Sequence, residues 1–121
     1  MVTTEEALVR SCNLAHDYHV RNMSPNALMA ESGYREHRSA IDVEKIREHV
    51  AAHPMLIGDW ICYSENKRVS SGWYFSANSV SGPYVVGYFP TSDSSKTEKK
   101  YSDGIEACAI YIKHELESIV S

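Results

Sequence analysis

Hydrophobic residues recur at helical spacing in the first half of the chain, and at alternating positions in the middle. The first helical stripe consists of Leu8, Cys12, Ala15 and Tyr18. It predicts a first helix that ends near Val20. Just before it, Thr3–Glu6 has the Thr-x-x-Glu spacing in which a hydroxyl and a carboxylate cap each other's backbone amides, so we expect the helix to begin there.

Two further helices are predicted before residue 54. Pro25 suits the first position of a short helix reaching Met29 or Glu31 and ended by Gly33. The polar segment 34–40 is typical of a loop. Asp42 then has the character of an N-cap, with Ile41 and Ile46 spaced as a hydrophobic staple around it. This third helix should end by His53, because the proline at 54 disfavours helical backbone in the residue before it.

The segment 55–66 fits either a helix or a strand. Leu56, Ile57, Trp60 and Ile61 repeat as apolar pairs four residues apart, whereas Ile57, Ile61 and Tyr63 also occupy alternate positions. A glycine at 58 weakens a helix by about 1 kcal/mol relative to alanine. The spacing of four favours the helix.

From Ser71 the hydrophobic period changes to two. Trp73, Phe75 and Ala77 would share one face of a first strand, and Tyr84–Phe89 is a second strand rich in β-branched and aromatic residues. A charged third strand, 96–101, suits an exposed edge. Turn-forming residues at 78–83 and 90–95 connect the three strands. The pattern therefore predicts a three-stranded antiparallel meander.

A long helix closes the chain. Asp103–Glu106 has capping-box spacing, and the residues after it follow a broad helical stripe: Ile105, Cys108, Ala109, Ile112, Leu116 and Ile119. We therefore predict one α+β domain over residues 1–121. Residues 1–66 form its mainly helical part, 71–101 its antiparallel sheet, and 103–120 a helix packed on the sheet.

Composition places the chain among ordinary globular domains. Its 121 residues are 43% hydrophobic and 23% charged, so neither a disordered nor a fibrous protein is expected. The net charge of −4 weighs against a nucleic-acid partner and suits a basic protein partner. The longest apolar runs are too short for a membrane span.

The three cysteines, Cys12, Cys62 and Cys108, are widely spaced among apolar neighbours. An odd number with this spacing predicts reduced, buried thiols rather than a disulfide framework. The polar, acidic residues at 1–6 do not resemble a signal peptide. Together these features predict a cytoplasmic protein.

Two sets of histidines raise the question of a metal. Cys12, His16 and His19 could approach one zinc ion on the first helix, but no fourth ligand is marked by spacing. His49 and His53 share a helix face, yet the residues between them do not form the His-Glu-x-x-His motif of zinc proteases. The sequence leaves the first set open and favours a structural interpretation of both, so we expect no cofactor.

No motif of an enzyme is present in the sequence. Cys62 and Cys108 lie among bulky apolar residues, and Ser70-Ser71-Gly72 is not a nucleophile elbow. The six glycines do not form a phosphate-binding loop. We therefore expect a protein without catalytic activity.

The connector before the first predicted strand, residues 65–71, is the best candidate for a functional site. It places charged and hydroxyl side chains next to large aromatic ones, as protein-binding surfaces do. The alternative is that its aromatic residues belong to the core. The candidate partner-binding residues are Tyr63, Glu65, Lys67, Arg68, Ser71, Trp73 and Tyr74.

A second candidate is the segment 26–50, which loosely resembles a helix-turn-helix and would make the protein a small DNA-binding regulator. Two features weigh against it. Glu44 and Glu48 lie on the polar face of the second helix, and eight residues separate Gly33 from that helix's cap at Asp42, which is longer than the usual tight turn.

Residues 72–108 resemble the small α+β immunity proteins of bacterial polymorphic and contact-dependent toxin systems. The segments that carry the likeness are Gly72–Phe75, Tyr84–Pro90 and Ser102–Cys108: short aromatic strands, a hairpin, and a helix opened by an acidic cap. HicB-like antitoxins share the same strand-strand-helix outline. The resemblance implies a cytoplasmic protein that neutralises a cognate toxin by occlusion, and it transfers no individual binding residue.

Overall fold

The computed structural model describes residues 2–67, 72–77, 83–89 and 97–120. Within them the helical part precedes the sheet, and a long helix follows it. The elements are α1 Thr4–Cys12, α2 Leu14–Val20, α3 Pro25–Ser32, α4 Tyr34–His37, α5 Val43–Ala52, α6 Met55–Lys67, β1 Gly72–Ala77, β2 Tyr84–Phe89, β3 Thr97–Tyr101 and α7 Gly104–Val120.

The predicted α+β architecture is confirmed. The strands form an antiparallel meander in the order β1-β2-β3, with Trp73 opposite Tyr88 and Tyr88 opposite Thr97. Helix α7 packs against the sheet on one side and against α5 on the other. The predicted turn at 90–95 lies outside the described residues, as does all of the turn at 78–83 except Pro83.

Helix caps occur where the sequence predicted them. The Thr3 hydroxyl accepts from the Glu6 amide, and the Glu6 carboxylate accepts from the Thr3 amide, both at 3.1 Å. The Asp42 carboxylate accepts from the Lys45 amide at 2.9 Å, and that of Asp103 accepts from the Ile105 amide at 2.9 Å. These side chains occupy backbone donors that the first turn of a helix leaves without partners.

The predicted single helix reaching Val20 was wrong, because Asn13 divides it into α1 and α2. Asparagine has a low helix propensity, since its side chain competes for local backbone hydrogen bonds. The division is also stabilised from elsewhere in the fold. The indole N–H of Trp60 donates to the Cys12 carbonyl at 2.9 Å, and so provides a buried donor at the end of α1.

The prediction of a loop at 34–40 was also wrong in its first half. Gly33 adopts a left-handed conformation with φ of 82°, and α4 begins directly after it. The segment is predicted as a loop because most of its residues are polar, but the side chain of Tyr34 is completely buried. Segment 55–66, by contrast, is the helix α6, as the spacing of four favoured.

An aromatic cluster fills the centre of the core between α6, α7 and β1. Trp60 lies edge-on to Tyr63 and Tyr111, with ring centroids 5.2 and 6.0 Å apart, and Phe75 stacks on Tyr111 at 5.5 Å. All four residues are buried. The Tyr63 hydroxyl donates to the carboxylate of Glu115 at 2.7 Å, which joins α6 to α7 inside the core.

A second polar network joins α4 to α7 near the surface. The Lys113 ammonium donates to the Tyr34 hydroxyl at 2.7 Å and to the carbonyls of Arg38 and Ile41 at 2.9 and 2.7 Å. The Tyr34 hydroxyl in turn donates to Glu117, which also accepts from the Arg38 guanidinium. The ammonium therefore binds three oxygens of the segment that connects α3 to α5.

Substituting Lys113 with methionine should lower the free energy of unfolding by about 2–3 kcal/mol, because acceptors in a partly buried site lose a charged donor. Lys45→Met is the matched control. Lys45 is exposed and donates to one carbonyl, that of Ala40, so its loss should cost less than about 0.5 kcal/mol. Urea unfolding measures both, and equal effects would contradict the assigned role of Lys113.

The same network should shape stability in acid. The hydrogen bond from Arg38, followed by that from Tyr34 and the charge of Lys113, lowers the pKa of Glu117 from 4.5 to about 2. A carboxyl whose pKa is lower in the folded state stabilises the protein above its unfolded pKa, and this contribution disappears as the pH falls. Glu117→Gln should therefore reduce the loss of stability between pH 4.5 and 2, measured by thermal unfolding across that range. Arg38→Met should reduce this loss of stability in the same direction. If stability falls with pH in both variants as steeply as in the unmodified protein, the network is contradicted.

Candidate protein-interaction surface

The structure separates the residues of the predicted binding connector. Helix α6 ends at Lys67 and β1 begins at Gly72, so Arg68 and Ser71 lie outside the described residues. Glu65 is exposed on the last turns of α6. Glu65 therefore offers one exposed acidic side chain a few residues before β1.

Tyr63 is a core residue, and its prediction as a contact residue for a partner was wrong. Its side chain is fully buried, and burial together with the neighbouring Glu115 carboxylate raises the pKa of its hydroxyl. Tyr63 also lies edge-on to Tyr18 of α2 at 5.2 Å. Helical spacing alone could have predicted that Tyr63 is buried, because it lies about one turn from the buried Trp60.

Trp73 faces α7 and forms an aromatic patch that we define as Trp73, Tyr88 and His114. The Trp73 and His114 rings are nearly parallel, with an interplanar angle of 8° and centroids 3.7 Å apart. Tyr88, directly opposite Trp73 on β2, lies 5.2 Å from it and is 36% exposed. Trp73 and His114 are half-buried, and burial lowers the pKa of His114, which favours its neutral form.

Tyr74 lies on the opposite face of the sheet from this patch, as alternation along a strand requires. Its ring crosses Gly87 on β2, and its hydroxyl donates to Glu98 on β3 at 2.8 Å. Burial, followed by the hydrogen bond to Glu98, raises the pKa of Tyr74 to about 12. Trp73 and Tyr74 therefore cannot belong to one flat binding patch.

Sequence reasoning missed Tyr88 and His114 as members of the patch. Tyr88 was recognised only as part of a strong strand, and the strand register that places it opposite Trp73 depends on the connecting turn. His114 lies three residues after the buried Tyr111 on α7. Once the sheet-facing side of that helix is known, helical spacing would indicate it.

The cysteines differ in their surroundings. Cys12 and Cys108 are buried, and burial raises the pKa of Cys12 to about 12 and that of Cys108 further. Such thiols are poor nucleophiles at neutral pH. Cys62 is exposed, so its prediction as a buried thiol was wrong. It lies on the solvent-facing side of α6, whereas Trp60 and Tyr63 of the same helix face the core.

The structure does not bring Cys12, His16 and His19 together around one ion. Cys12 is buried, whereas His16 is exposed with its Nδ1 atom 3.9 Å from a carboxylate oxygen of Asp59. His19 is exposed and lies edge-on to Tyr18. Within the described ranges, no three histidine, cysteine or acidic residues are arranged to hold a metal ion.

The helix-turn-helix candidate at 26–50 consists of α3, α4 and α5. The connection between α3 and α5 contains a helical turn and is longer than the tight turn of that motif. On α5, Arg47 pairs with Glu44, and Lys45 donates to the Ala40 carbonyl. Both basic side chains of this helix are therefore engaged within the protein.

Comparison of the chain with protein-family models, curated proteins and solved structures finds no match. Among the residues that the structure describes, no helix combines the length and apolar character needed to cross a membrane.

Gly87→Ala should test the position of Tyr74. An added Cβ would lie 2.3 Å from the Tyr74 hydroxyl oxygen, so the ring must move and lose its bond to Glu98. We expect a loss of about 1 kcal/mol in the free energy of unfolding, measured in urea. Gly58→Ala is the matched control, since a Cβ there meets no atom within 4 Å. It should stabilise α6 by about 0.5–1 kcal/mol.

The penalty at Gly87 should disappear in a Tyr74→Ser background, because the clash is then removed. A penalty that persists there would show that the strand itself, and not the Tyr74 ring, excludes a side chain at position 87.

Proposed function

We propose that this protein is a non-enzymatic protein-binding protein that contacts its partner through the aromatic patch of Trp73, Tyr88 and His114. The observation that carries the proposal is the parallel stack of Trp73 on His114 beside the exposed Tyr88. Aromatic side chains are the residues that most often dominate the binding energy of protein interfaces.

The stack also favours binding because it fixes the rings before a partner arrives. Ordering a free side chain at an interface costs about 0.5–1.5 kcal/mol. The indole of Trp73 already stacks on His114 and lies against the ring of Tyr88. A partner that covers the patch would bury the remaining exposed aromatic area at little additional cost in side-chain entropy.

The surroundings of the reactive side chains agree with a binding role. The thiols of Cys12 and Cys108 are protonated and buried, and the buried carboxylate of Glu115 is hydrogen-bonded to Tyr63. The groove lined by Leu8, Lys45 and His49 is open to solvent. These features support recognition of a partner over bond-making chemistry.

The finer proposal is that the partner is a bacterial toxin and that this chain acts as its immunity protein or antitoxin in the cytoplasm. It rests on the resemblance of residues 72–108 to small α+β immunity proteins and on the net charge of −4. An acidic protein is attracted to a basic domain over distance, which increases the rate of capture and selects against acidic competitors. Occlusion of a toxin surface requires no catalytic residue.

Binding of the purified protein to the protein domain that the reading frame directly upstream encodes tests this function. Trp73→Ala should weaken the complex about thirtyfold or more, the loss typical of a central aromatic residue. Tyr74→Ala is the matched control on the neighbouring position of the same strand. It lies on the opposite face and should change the affinity less than about threefold. Biolayer interferometry gives both values, and co-expression gives the corresponding rescue of growth.

Failure to bind that domain at micromolar concentration would contradict the immunity role. Equal losses from Trp73→Ala and Tyr74→Ala would contradict the assignment of the patch. Retardation of DNA by the same preparation, weakening with added salt, would instead support the regulator alternative based on residues 26–50.

A further inference from the structure

A groove on the helical side of the protein contains three of its six histidines. It lies between α1, α2, α5 and α6, and no residue of the three described strands lines it. His49 and His53 line one wall at the end of α5, while His16 and Asp59 line the other. Val9 and Met55, two of the exposed large hydrophobic side chains, form its rim. The aromatic patch uses none of these residues.

The separation of the His49 and His53 rings matches that of two ligands of one metal ion. Their centroids are 4.5 Å apart, and their planes are tilted by 44°. Two imidazoles bound at about 2.0–2.1 Å in neighbouring positions of one ion hold their centroids roughly 4.5–5 Å apart. The ring positions are therefore compatible with one nitrogen of each imidazole binding a shared ion.

The local charges favour a cation at this point. His49 is in the last turn of α5, at the negative end of that helix's dipole, and His53 is the C-cap of the same helix. The Asp59 carboxylate on the opposite wall adds negative charge to the groove.

We propose that His49 and His53 form a two-histidine site for a divalent transition-metal ion of the zinc and nickel class. Imidazole is a preferred ligand of these ions. Since no third side chain of the described residues is arranged to complete the site, water occupies the remaining coordination positions, which open into the groove. The site is independent of the proposed binding function.

Titration with Ni²⁺ tests the site directly. The protein is prepared without a polyhistidine tag and in a Cys62→Ser background, which removes the exposed thiol as a competing ligand. Isothermal titration calorimetry should show one equivalent of Ni²⁺ bound. His49→Gln and His53→Gln should each weaken it at least about tenfold. His19→Gln, which alters an exposed histidine outside the groove, should leave the affinity unchanged.

A spectroscopic measurement distinguishes this chelate from general surface binding. Paramagnetic Ni²⁺ should broaden the imidazole resonances of His49 and His53 before those of His19 and His37. Absence of binding, equal weakening by His19→Gln, or a loss in His16→Gln as large as that in His53→Gln would overturn the two-histidine assignment. Far-ultraviolet circular dichroism of each variant confirms that the fold is retained.

Discussion

The buried hydrogen bond between Tyr63 and Glu115 is the constraint on which the arrangement of this fold depends. A carboxylate among aromatic side chains is strongly unfavourable unless polar groups surround it. Glu115 is only 3% exposed, and the Tyr63 hydroxyl donates to it at 2.7 Å. The hydrogen bond therefore constrains the rotation of α6 against α7, with Trp60 and Tyr63 both buried. Trp60 and Tyr63 are therefore core residues.

Helix α7 connects this buried hydrogen bond to the other parts of the fold. Between residues 111 and 117 its successive faces contact the aromatic core through Tyr111, the α4 segment through Lys113 and Glu117, and the sheet through His114. Glu115 and His114 are adjacent on this helix, so the contact that constrains its rotation also constrains how His114 meets Trp73. The core and the aromatic patch are thus joined through one helix, although the core is buried and the patch is partly exposed.

Much of the fold could be predicted from the sequence because its signals are local. Thr3, Asp42 and Asp103 act through hydrogen bonds within three residues, and the change of period at residue 71 marks the start of the sheet. The errors arose where distant contacts decide. Tyr34 is buried by contacts across the fold, and Asn13 divides a helix whose end binds Trp60. The candidate site was predicted at Trp73 alone among its present members, because strand register and helix rotation bring Tyr88 and His114 to it.

Acrylamide quenching of single-tryptophan proteins tests most directly the division between core and surface aromatic residues. In a Trp73→Phe protein the remaining Trp60 is fully buried and hydrogen-bonded to Cys12, so its emission should be blue-shifted and weakly quenched. In a Trp60→Phe protein the half-buried Trp73 should be quenched several times more strongly. Addition of a binding partner should reduce the quenching of Trp73 and leave that of Trp60 unchanged. Equal quenching of the two tryptophans in the free protein would contradict this account.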